Sequence, residues 1–321
     1  MVDQKRKKTV KRHVKPNSNQ VDPIQEQASS TASPKRRRVQ KSKQTSKRSK
    51  SESDGSEDWA ESDQESVEGE VTAAAQEDMK SAVIDIPRPK GSPFADALSP
   101  DTLEFMAQLA ENNNRDFMQL NQERWHAAKQ DFTDFVGLII KELQSMDPTI
   151  LVEEPKAAVY RQNRDLRFTN DLRPYKIYLS ASFSRGGKKS PFAGYHIAVA
   201  PGNKTMVAAG IWQPSSSILS RMRTGIMENA SLMREALSTD AINDIFGKGG
   251  LEVLESSDKL KVAPKGVAKD HPEIEMLRFK SMVASKYFDD VDVVSEGFLD
   301  KVLDVFDAVV PFVAVLNSWT G

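Results

Sequence analysis

The sequence predicts an α+β fold: a mainly antiparallel, twisted sheet packed with helices, preceded by a long disordered N-terminal tail. Three observations carry this. Period-two alternation runs through 175–183, where Tyr175, Ile177, Leu179, Ala181 and Phe183 share one face. Helical stripes flank that region, one through Trp125, Ala128, Phe132, Phe135, Val136, Ile139 and Leu143, another through Phe298, Val302, Phe306, Val309 and Val313. The first 92 residues hold almost no large apolar side chains, so they cannot bury enough surface to offset the entropy of ordering. One folded domain is therefore expected over 93–321 and a tail over 1–92.

The 321-residue chain has a formal net charge of -1, which conceals strong segregation. Residues 1–50 are basic, 51–80 are acidic and serine-rich, and 81–92 form a linker containing Pro87 and Pro89. The absence of cysteine excludes disulfides, thiolate nucleophiles and cysteine zinc sites. The first residues are charged and carry no apolar signal core, and the longest apolar run, Ala308–Leu316, is far short of the ~20 residues a membrane span needs. The expectation is a soluble intracellular chain with no membrane partner and no cofactor.

Within the tail, Pro34, Lys35, Arg36, Arg37, Arg38 and Val39 resemble a monopartite nuclear localisation signal, whose partner is a nuclear import receptor. The alternative is a solvated basic arm that touches nucleic acid non-specifically, in the nucleus or the cytoplasm. From Ser51 the charge reverses. Ser51 and Ser62 each precede an acid by three residues, as acidophilic kinase sites do; phosphates there would deepen the negative charge. A solubilising spacer is the alternative.

Taking the domain in order, Ser99-Pro100-Asp101 starts a helix, with a capping hydroxyl, proline in the first turn and an acid beside it. Asn112-Asn113-Asn114 ends it, and a second helix follows Asp116 to Asp147-Pro148, with His126 at its surface. Antiparallel strands are expected between Lys156 and Gln213, with turns at 185–190 and 201–203. Gly186-Gly187-Lys188-Lys189-Ser190 lacks the first glycine and the spacing of a phosphate loop. Pro214 and three serines open a helix that turns Ile218, Leu219, Met222 and Ile226 inward. A short helix over 241–246, edge strands around Val253 and Val262, and a helix from Glu273 to Ser285 are expected next. Ser295 caps the last helix, with a kink near Pro311.

Asn112-Asn113-Asn114-Arg115-Asp116-Phe117 with Asn121, then Arg164-Asp165-x-Arg167-Phe168 with Asp171 and Pro174-Tyr175-Lys176, resemble the family of conserved hypothetical proteins designated domain of unknown function 2461. Later landmarks keep the family's order: Gly194-Tyr195, Pro201-Gly202, Gly210-x-Trp212-x-Pro214, Pro264-Lys265-Gly266, Asp270-His271-Pro272 and Lys280-Ser281. Met118 and His196 stand where aromatics are usual. The resemblance covers about residues 93–320 and implies the extent of the domain, without implying a reaction.

The stretch Arg164–Lys176 concentrates directed charge, and two arrangements of it are open. In one, Arg164, Arg167 and Lys176, with Arg223, His271 and Lys280 from later turns, hold a phosphate or carboxylate, while Tyr175 or Trp212 stacks on the ligand and Asp165 and Asp171 orient the arginines. In the other, those acids neutralise the arginines and lock the loop to the sheet. No nucleophile elbow, Walker loop, dinucleotide fingerprint or closely spaced histidine pair is present. Three functions follow as expectations: a binder of a small anionic ligand, a nuclear interaction protein acting through its tail, or a hydrolase or transferase on a phosphorylated substrate.

Overall fold

The computed structural model describes residues 84–321. The run Pro34–Val39 and the serines Ser51 and Ser62 lie outside the described residues. Residues 84–92, read from sequence as linker, lie on the domain: Ile84 and Ile86 pack against apolar clusters, and Arg88 pairs with Asp101 at 2.6 Å.

Helix α1 (Pro100–Glu111) starts as its signature requires, with Ser99 Oγ accepting from the Asp101 amide at 3.2 Å. The helical stretch beyond Asn114 is divided. Asn114 caps α2 (Arg115–Leu120) by accepting from the Phe117 N–H at 2.8 Å, and α3 (Gln122–Met146) begins after Asn121. α3 buries the predicted stripe from Ala128 to Leu143 and leaves His126 exposed. A one-turn helix, α4 (Pro155–Ala158), leads to the sheet.

The sheet comprises β1 (Leu179–Ser184), β2 (Gly194–Val199), β3 (Thr205–Ile211) and β4 (Met282–Phe288), antiparallel throughout in that spatial order. After β3 come α5 (Ser216–Ala236), capped by Ser215, and α6 (Asp240–Phe246). Two expectations fail beyond this point. The helix expected over 273–285 is only the single turn α7 (Ile274–Leu277), and the residues after it form β4, paired to β3 from Ile211↔Met282 to Thr205↔Phe288. The reason is that β3 would otherwise expose a row of unpaired backbone groups along a buried sheet, and 282–288 carries a strand-like alternation that burial can use. The edge strands expected around Val253 and Val262 are also absent: Val253 lies in a tight turn, Leu254 makes one bridge to Ala284, and Val262 is exposed in a bend.

After the short α8 (Asp290–Val293), the last helix is α9 (Phe298–Thr320). Gly297, at φ 82°, occupies its cap position in place of Ser295, whose hydroxyl donates to the Val291 carbonyl at 2.5 Å. Asp96 ties down this start, accepting from the Gly297 N–H at 2.7 Å and from the Leu299 N–H at 2.9 Å. The helix continues across Pro311. It packs on α3, α5 and β3, so the sheet's first face is closed by helices. Leu179, Ala181, Phe183, Tyr195, Ile197, Val199, Val207 and Ala209 enter that core, where Phe306 meets Tyr195 edge-on at 5.1 Å and Phe183 at 6.3 Å. Such pairs add about 0.5–1.5 kcal/mol each to the burial of the rings. The Tyr195 hydroxyl, pushed up by burial and by Asp147, donates to Asp147 Oδ2 at 2.9 Å, so its polar end is satisfied inside the core.

Candidate anion site on the second face of the sheet

Side chains alternate along a strand, so the residues between the core positions define a second face. It carries Ser180 and Ser182 from β1, His196 and Ala198 from β2, and Met206 and Ala208 from β3. The chain before β1 extends this face as a narrow ribbon. Val159 bridges Ala181, the Tyr160 N–H donates to the Ser180 carbonyl at 2.9 Å, the Lys176 N–H donates to Gln162 at 2.9 Å, and Asn163 bridges Tyr175. Residues 159–164 therefore return along 174–181, and 165–173 form the tip.

At the tip, charge is matched locally. Asp171 accepts from Arg173 and pairs with Arg164 at 2.8 Å, the two guanidinium groups being only 15% exposed. Hydrogen bonds from Arg173 hold the Asp171 carboxyl well below the usual carboxylate range. Asp165 is likewise depressed by its two-pronged contact with Arg167, at 2.6 and 2.9 Å, although that guanidinium is largely exposed. Behind the tip, the Asn113 side-chain amide binds both the N–H and the carbonyl of Tyr175, at 3.0 and 2.9 Å.

On the second face itself, cations converge on one ring. Lys176 Nζ lies 5.4 Å and Lys188 Nζ 5.6 Å from the centre of the Tyr160 ring, and Lys176 is also 5.8 Å from that of Tyr178. Lys176 is 4% exposed, so its charge acts in a poorly screened setting. Glu153 stands near Lys188, its carboxyl raised by burial. Hydroxyl and imidazole groups fill the remainder. Ser182 Oγ is 2.7 Å from His196 Nδ1, a contact made possible because Ser182 and His196 are direct cross-strand partners, and the Tyr160 hydroxyl lies 3.2 Å from Ser182 Oγ and donates to the Lys188 carbonyl at 3.0 Å. Burial, then the nearby Lys176 charge, pushes the His196 imidazole down to about 4, so it is neutral at neutral pH.

The residues singled out in the sequence fall into two groups. β1 and β3 run in the same direction, so Arg164, Asp165, Arg167, Asp171, Tyr175 and Lys176, ahead of β1, belong to the end of the sheet where β3 begins. Trp212 follows the end of β3, and Lys280 precedes β4, whose first residue pairs with Ile211. These two groups occupy opposite ends of strands ~20 Å long. Arg223 donates to the Leu277 carbonyl at 3.4 Å and is lowered by burial, His271 Nδ1 accepts from the Glu273 N–H at 3.0 Å, and Lys280 is exposed. Of the ten, only Lys176 joins the convergent set. Sequence reading did not join Tyr160, Ser182, Lys188 and His196 into a site; the discoverable signal was that they alternate with core residues or lie in adjoining turns.

A separate open cavity of about 630 Å³ is lined by Arg88, Asp101, Glu104, Arg124 and Asp131. Its arginines are met by its own carboxylates, Arg88 bonding Glu104 at 2.5 Å, so it offers no surplus of either charge. Among the described residues no helix is long and apolar enough to cross a membrane, and no group of three or more His, Asp or Glu side chains is placed to hold a metal ion.

The fold and site together define an α+β domain with one helix-covered sheet face and one face bearing cations and hydroxyls. The family model described as conserved hypothetical protein (DUF2461) matches residues 101–314, and the chain belongs to that family. No curated protein and no solved structure matches the chain.

Proposed function

We propose that the domain binds a small phosphate- or carboxylate-bearing ligand on the second face of the sheet. Lys176 and Lys188 supply the charge, and Tyr160, Ser182 and neutral His196 supply hydrogen-bonding groups around it. The observation that carries this reading is the approach of two ammonium groups to the single ring of Tyr160, beside hydroxyls. Like charges held this close repel, and an anion between them removes that cost. Arg164, Asp171 and Asn113 brace the ribbon that presents Lys176, and Arg167 with Asp165 lies outside the contact set.

Titration of the full-length chain with inorganic phosphate, followed calorimetrically, tests it. Saturable binding is expected, weakened about tenfold or more by Lys188→Met, as the loss of a charge-assisted bond requires, and unaffected by Arg167→Ala. Equal binding by all three proteins, or none by the parent, defeats the reading. The 2.7 Å contact between Ser182 and His196 favours a second reading, hydrolysis or transfer on a phosphorylated ligand. Turnover of p-nitrophenyl phosphate abolished by Ser182→Ala would support it.

For the tail, the run Pro34–Val39 supports import by a nuclear import receptor, and its charge supports non-specific nucleic-acid contact. A fluorescent fusion with Lys35, Arg36, Arg37 and Arg38 changed to alanine is expected to leave the nucleus; unchanged nuclear retention refutes import through this run.

A further inference from the structure

We infer that the acidic segment Ser51–Lys80 of this same chain docks on the cationic second face of its own sheet, over Lys176, Lys188 and the neighbouring turns. This rests on the reading of that face as an anion site and names a macromolecular occupant for it.

The position of the described chain's first residue argues for it. Ile84 packs on the cluster of Ile177, Tyr178, Ala198 and Ala200 and lies against Gly202 in the turn between β2 and β3. Ala198 alternates with the core positions of β2, so the chain meets the domain on the second face. Lys204 closes that turn, and Lys189 follows Lys188 in the turn between β1 and β2. Immediately upstream of Ile84, the stretch from Glu52 to Asp78 holds eleven carboxylates and no lysine or arginine. Six residues separate Asp78 from Ile84 and reach at most about 20 Å, the length of the strands themselves. The nearest carboxylates are thereby confined to the neighbourhood of the lysines, and tethering makes their local concentration high without any new contact. Charge complementarity then selects the face. An acidic segment seated there shares the cations that a small anion needs, so the two compete.

Carbodiimide coupling of the full-length chain at low salt reads the contact directly. Expected are links from carboxylates between Glu52 and Asp78 to Lys188, Lys189 or Lys204, formed within single chains, as a mixture of isotope-labelled and unlabelled protein distinguishes. Links chiefly to the basic stretch Lys5–Lys50, or between chains, overturn the proposal. A second readout uses a variant carrying Asp54→Asn, Glu57→Gln, Asp58→Asn, Glu61→Gln, Asp63→Asn and Glu65→Gln, changes remote from any core. Its affinity for inorganic phosphate is expected to be about tenfold tighter if the segment occupies the face nine-tenths of the time. No links together with an unchanged phosphate affinity overturns docking and leaves the small-anion reading standing. Links in the parent, with phosphate bound by neither protein, support docking and overturn the small-anion reading instead.

Discussion

Asn113 and Tyr175 stand 62 positions apart in the chain, yet the side-chain amide of one binds the backbone N–H and carbonyl of the other. Asn113 acts here as a short piece of strand. It joins the turn between α1 and α2 to the ribbon that carries Lys176, and so fixes the cationic face relative to the helices.

Asn113→Ala leaves both polar groups of Tyr175 without a partner in a half-buried place. A loss of about 1–3 kcal/mol is expected in urea unfolding, with faster hydrogen exchange at the Tyr175 amide. Unchanged exchange at that amide would show that the pairing does not restrain the ribbon.

The two aspartates of the tip are expected to separate experimentally. Asp171→Ala strands Arg164 and Arg173, both largely buried, and should cost about 2–3 kcal/mol, below the range for a fully buried pair because Asp171 is itself 30% exposed. Asp165→Ala touches an exposed guanidinium and should leave the melting temperature unchanged. Equal effects of the two substitutions would contradict the distinction drawn between a lock and a surface pair.

His196 gives a pH dependence with a definite sign. Its folded value of about 4 lies below the ordinary 6.5, so the unfolded chain binds the extra proton between those limits, and stability falls as pH drops through that window. The share due to this residue is about 3 kcal/mol at most by pH 4. His196→Gln should flatten the slope of stability against pH between about 6.5 and 4 relative to the parent. A His196 ring proton titrating near 6.5 by NMR would sink this prediction.

Gly210 sits in β3 at φ 128°, and a Cβ there would lie 2.0 Å from the Met282 carbonyl oxygen of β4. Backbone at that distance cannot give way as a side-chain tip does. Gly210→Ala should cost at least about 3 kcal/mol or prevent accumulation of folded protein. Parent-like unfolding by guanidinium would mean that the β3–β4 pairing is looser than the register indicates.

Much of the local structure is legible in the chain. Ser99-Pro100-Asp101 and Pro214-Ser215 announce helix starts because capping is chemistry among neighbours, and the stripe from Ala128 to Leu143 announces a buried face because its period belongs to the helix itself. The tip's charge pairing was one of two arrangements its residues allow, since Asp165 and Arg167 are two positions apart, as are Asp171 and Arg173. The α+β class followed from the same local periods, and the order of motifs pointed to the DUF2461 family that residues 101–314 match.

What only the tertiary structure decided depends on partners distant in sequence. Met282–Phe288 is a strand because β3 needs an antiparallel neighbour, whereas its local pattern also fits the end of a helix. Gly297 displaces Ser295 at the start of α9 because Asp96, about two hundred residues earlier, supplies the acceptor. Trp212 and Lys280 share the family's motifs with Lys176 but stand at the other end of the sheet, because strand direction sets which residues meet. Ser182, His196, Tyr160 and Lys188 come together only once β1, β2 and the ribbon are in register, since alternation places side chains on a face but pairing across strands chooses their neighbours.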